Sequence, residues 1–120
     1  MDDKLVTLVR RLEAKAGDVS WEKTEEDETF ETDFAGFGVQ IGRAETDGEE
    51  PLYTVRLFDT EGEFLDEFTD DDLTTILNRT EPTEPSEMFE VMKGIHRAAR
   101  RSAMGVGKAV DAILEALAED

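Results

Sequence analysis

The 120 residues carry 31 Asp and Glu against 13 Lys and Arg, a formal charge of −18; a field of that sign repels nucleic acid and anionic membranes and argues against either as a direct partner. The chain has no cysteine and one histidine, His96, which removes disulfides, thiolate ligands and multi-histidine zinc sites. With 38% hydrophobic residues, residues 1–120 suffice for one core but not two, so a single α+β domain is expected.

Leu5, Leu8, Val9, Leu12 and Ala16 recur at three- and four-residue steps, which predicts an amphipathic helix over 2–16 with Gly17 as its C-cap. Residues 20–24, around Trp21, read as a short strand, joined by the acidic Glu25, Glu26, Asp27 and Glu28 to the next. Over 29–34, Phe30, Thr32 and Phe34 alternate with Glu31 and Asp33, the period of a half-buried strand. Gly36 and Gly38 are expected to bend the chain around Phe37, after which Val39, Ile41 and Arg43 mark a further strand. Residues 46–51 read as a turn, and 52–58, apolar on both faces, as a central strand. A type I turn at 59–62, with Gly62 in the left-handed position, leads to a strand at 64–68.

Thr69 precedes Asp70, Asp71 and Asp72 and can cap a short helix whose first turn favours carboxylates. Residues 79–85 read as a loop, and Ser86 caps a long helix bearing Met88, Phe89, Val91, Met92, Ile95 and Ala99. Gly105 and Gly107 interrupt it before a last amphipathic helix marked by Val106, Val110, Ile113, Leu114 and Leu117. The expected fold is an N-terminal helix, an antiparallel meander of three to five strands, then a short helix and two C-terminal helices packed on one sheet face.

The charge is uneven. Residues 16–90 hold 24 acids and four bases, whereas 91–108 hold five bases, Lys93, Arg97, Arg100, Arg101 and Lys108, and no acid. A solvated face or adaptation to a high-salt cytoplasm accounts for such acidity; so does docking of a basic partner, or an internal contact between the basic helix and the acidic sheet. The residues singled out for partner binding are Glu25, Glu26, Asp27, Glu28, Asp70, Asp71, Asp72, Arg97, Arg100 and Arg101.

Motifs that carry chemistry fail on named residues. Placing Gly62 at the sixth position of a calcium loop puts Leu57 first and Phe68 twelfth, where oxygen ligands are required. The three aspartates are explained by the start of a helix, and carboxylate pairs are too abundant for any one to signal acid–base work. His96 beside Arg97 reads as a packing residue, and no nucleophile elbow or phosphate loop is present. The aromatic residues read as core, since a base-stacking platform also needs a basic groove. Met88, Met92 and Met104 read as core too, with an adaptable docking surface as the alternative. No catalytic residue, metal or cofactor is therefore expected.

The segments 21–24 (Trp-x-x-Thr), 30–32 (Phe-x-Thr), 39–41 (Val-x-Ile) and 58–62 (Phe-Asp-x-x-Gly), with the Arg-rich helix at 98–103, resemble a group of small uncharacterised prokaryotic acidic α+β proteins. That resemblance implies a fold and no activity. A weaker likeness is to acidic secretion chaperones, dimers that bind extended segments of a partner, although here the strands precede the long helix. The expectation is a non-enzymatic accessory module that binds a protein, dimeric because the C-terminal helices offer more apolar face than a small sheet covers. The alternatives are an acidic mimic of nucleic acid that inhibits a basic binding protein, and a chaperone-like binder. The start Met1-Asp2-Asp3-Lys4 lacks a signal-peptide layout and no apolar run reaches the roughly 18 residues that span a bilayer, so a cytoplasmic location is expected.

Overall fold

Residues 3–48, 50–80 and 87–118 are described in the computed structural model. Helix α1 (Asp3–Lys15) buries the stripe Val6, Val9 and Leu12, the spacing that brings one helix face to a core. It ends in a 3-10 turn, Ala16–Asp18. Gly17 lies inside that turn rather than capping α1. The tighter turn directs the Ala16 carbonyl to the Trp21 indole N–H, which donates to it at 3.0 Å.

Strands β1 (Glu22–Lys23), β2 (Thr29–Phe34), β3 (Phe37–Ala44), β4 (Leu52–Phe58) and β5 (Phe64–Thr69) form an antiparallel meander in sequence order. Phe30 faces Ile41, Ile41 faces Val55 and Val55 faces Phe68 across successive ladders. This row is buried beneath the helices. Between β2 and β3 the reversal is made by Ala35 (φ 55) and Gly36 (φ 87), the two left-handed residues of a tight hairpin. Gly38, expected in that bend, sits instead in β3 opposite Asp33 and Phe58, where an added Cβ would stand 3.3 Å from Phe58 Cβ. At 59–62 the turn follows the sequence reading: Gly62 has φ +86 and its N–H reaches the Asp59 carbonyl at 3.0 Å.

Helix α2 (Asp70–Thr80) begins with a reciprocal cap. The Asp72 N–H donates to Thr69 Oγ1 at 3.1 Å, and the Thr69 N–H donates to Asp72 Oδ2 at 2.9 Å. Arg79 therefore belongs to α2; residues 81–86, with the expected Ser86 cap, lie outside the described residues. Helix α3 (Glu87–Ala103) crosses the sheet and buries Met88, Met92, Ile95, His96 and Ala99, so Met88 and Met92 are core, whereas Met104, read as core with them, falls just past the end of α3 and is 47% exposed. Helix α4 (Val106–Ala118) follows Gly105, whose φ is +70. The α+β architecture is as expected, with a finer difference: α3 lies on the sheet, whereas among the described elements α4 touches only α3.

Candidate functional site

The inner face of the sheet extends farther than the helices that cover it. Phe34 and Phe37 pair directly across the β2–β3 hairpin, at the end away from the Phe30, Ile41 and Val55 row. With Val39, Leu57, Phe58 and Leu65 they form the floor of an apolar groove of about 490 Å³. The other wall is α1, which contributes Leu8 and Leu12, with Arg11 and Lys15 at its border. Leu8, Phe34, Phe37 and Leu65 are 37%, 36%, 46% and 53% exposed. Four large apolar side chains so exposed around one concavity form a surface suited to docking rather than a closed core.

A second apolar surface lies on α4. Val110, Ile113, Leu114 and Leu117 share one helical face and are all exposed, up to 67% for Leu117, and no residue of α4 is buried. The molecule measures 58 × 35 × 27 Å with a radius of gyration of 16.1 Å, against about 14 Å for a compact chain of this length.

The residues chosen from sequence do not converge on either surface. Glu28, in a left-handed conformation (φ 54), is the best connected. Its carboxylate lies 3.6 Å from Arg100 Nε and 3.5 Å from His96 Nε2, and its carbonyl lies 2.9 Å from the same histidine nitrogen. The acidic turn thus meets the basic helix at Glu28 and Arg100, the internal contact that the charge pattern offered. Glu26 pairs with Arg56 at 2.5 Å, and Glu25 and Asp27 are exposed.

Asp70 is buried, and its Oδ1 accepts the Tyr53 backbone N–H at 2.9 Å; burial pushes its carboxyl above the usual range. Asp72 is used by the cap, and Asp71 is exposed. Arg97 and Arg101 are exposed and make no ion pair among the described residues.

His96 is 5% exposed, packed against the rings of Phe30 and Tyr53 at 5.4 and 5.6 Å. A carbonyl can only accept, so Nε2 carries the proton toward Glu28. Burial lowers the pKa of the ring below its ordinary value, and the imidazole is held neutral. Its contacts are those of a packing residue. Among the described residues no group of three or more acidic or histidine side chains is placed to hold a metal ion, and no helix is long and apolar enough to cross a membrane.

Sequence reasoning counted Phe34 and Phe37 as core and so missed the groove. One signal was available: two phenylalanines facing each other across a tight turn lie at the extreme end of a sheet, where a helix layer of this length gives out. No protein-family model, no characterised protein and no solved structure matches the chain, so the groove and the bare face of α4 stand on their own chemistry.

Proposed function

We propose that the protein is a non-enzymatic interaction module whose working surface is the apolar groove between α1 and the open end of the sheet, and that it takes up the apolar face of an amphipathic helix supplied by a protein. The exposed cluster of Leu8, Phe34, Phe37 and Leu65 carries the reading, because a wall of this chemistry next to a helix fits a helix-in-groove contact. Arg11 and Lys15 give the border a positive edge on a molecule otherwise strongly negative, which favours helices with acidic flanks. Titration of the isotope-labelled protein with a synthetic amphipathic helical peptide bearing acidic flanks tests it. The expected result is amide shifts at 34–39, 57–58, 64–65 and along one side of α1, abolished by Phe37→Asp. Shifts elsewhere, or none in a monomeric protein whose groove is free, would overturn the reading.

The acidic-mimic reading has one observation of its own. Glu22 stands opposite Glu31 in register, a like-charge pairing that weakens a ladder; none of Glu22, Glu31 and Asp33 is in an ion pair among the described residues. Capture of basic proteins that falls steeply as salt rises would support it, and salt-insensitive capture would sink it.

A further inference from the structure

We propose that the helix seated in the groove is α4 of a second copy of this chain, exchanged reciprocally, so that the protein is a two-fold dimer. The inference rests on the reading of the groove given above and names its occupant. Two unpartnered apolar surfaces occur on the same molecule, one concave and one helical. In the structure α4 makes no contact with α1 or with any strand of the groove. A 13-residue helix is marginal alone in water and owes its order to packing of its apolar side. Among the described residues Val110, Ile113, Leu114 and Leu117 are left 43–67% exposed. At about 1.5 Å per residue the helix is roughly 20 Å long, enough to lay three turns along α1 and the hairpin end of the sheet.

Charge sets the same match. The groove border carries Arg11 and Lys15, and α4 carries Asp111 and Glu115 with Lys108 as its one base. In a two-fold arrangement each contact occurs twice, so two helix faces and two grooves contribute toward the roughly 800 Å² per partner of a stable interface. A seam of α4 against α4 alone would bring acidic flanks together and leave both grooves open.

Sedimentation velocity over a concentration series, with the full chain, is the test. The wild type is expected at twice the 13.5 kDa chain mass. Substitution of exposed positions leaves the core intact: Ile113→Asp with Leu117→Asp on α4, and Phe37→Asp with Leu65→Asp in the groove. Each pair is expected to give a monomer. An equimolar mixture of the two variants regains dimer, because it restores one intact helix and one intact groove in the same complex. A wild type that stays monomeric at every concentration, a dimer that survives the groove pair, or a mixture that stays monomeric would each overturn the proposal. The peptide titration separates the two readings: groove shifts in a monomeric wild type would leave the docking surface standing while removing α4 as its occupant.

Discussion

At His96 burial and hydrogen bonding act in opposite directions on one proton. Desolvation lowers the folded pKa, while the Glu28 carbonyl and carboxylate pull it partly back. Between the lowered folded pKa and the unfolded value near 6.5, the unfolded chain binds more protons, so stability rises with pH and is lost as pH falls through that window. The imidazole titration followed by NMR is expected to have its midpoint below 6.5; a midpoint at or above it would contradict the buried, neutral ring. The residue type and its packing role were legible in the sequence, but its partners were not, since Glu28 is 68 positions away. Asp70 makes the complementary point. A helix start accounted for three aspartates as a group, yet only tertiary contact decides which one is buried against the Tyr53 N–H.

The elements follow local chemistry closely. The alternation in β2 and the three- and four-residue spacing in α1 and α3 were readable because one buried face repeats with a fixed period. Thr69→Ala removes an acceptor from the α2 cap and is expected to cost about 1 kcal/mol, read as a lower denaturation midpoint at unchanged slope; an unchanged midpoint would mean the cap carries no stability. In the β2–β3 hairpin the left-handed Ala35 costs about 1 kcal/mol relative to a residue without a Cβ. Ala35→Gly is therefore expected to stabilise by about 0.5 kcal/mol after the added chain entropy is counted, and a fall in melting temperature would contradict the turn geometry. The sequence reading placed this bend at Gly36 and Gly38 because glycine draws attention to itself. The register of Phe34 with Phe37 puts the turn one residue earlier.

On the scale of the whole molecule, the acidity and the two bare apolar surfaces have different physical consequences. A charge of −18 works against a compact state, and salt shortens its reach to about 10 Å at 0.1 M. The melting temperature is expected to rise over the first few tenths molar potassium chloride; a decrease would mean that specific ion pairs outweigh the repulsion. The same screening favours association of two like-charged copies through an apolar contact, whereas a contact built on acid–base pairing would weaken.

The amphipathic pattern of α4 was legible from Val110, Ile113, Leu114 and Leu117. That its apolar side stays exposed among the described residues was not, because periodicity gives the direction of a face without its neighbour. The groove was hidden for a related reason: Phe34 and Phe37 share the period of core residues, and only the finite length of the helix layer leaves them uncovered. Amide hydrogen exchange measured over a range of protein concentrations brings both surfaces into one experiment. Protection of 106–118 and of the 34–39 hairpin is expected to rise together as concentration increases; an α4 that exchanges at the rate of a free peptide at every concentration would contradict the account.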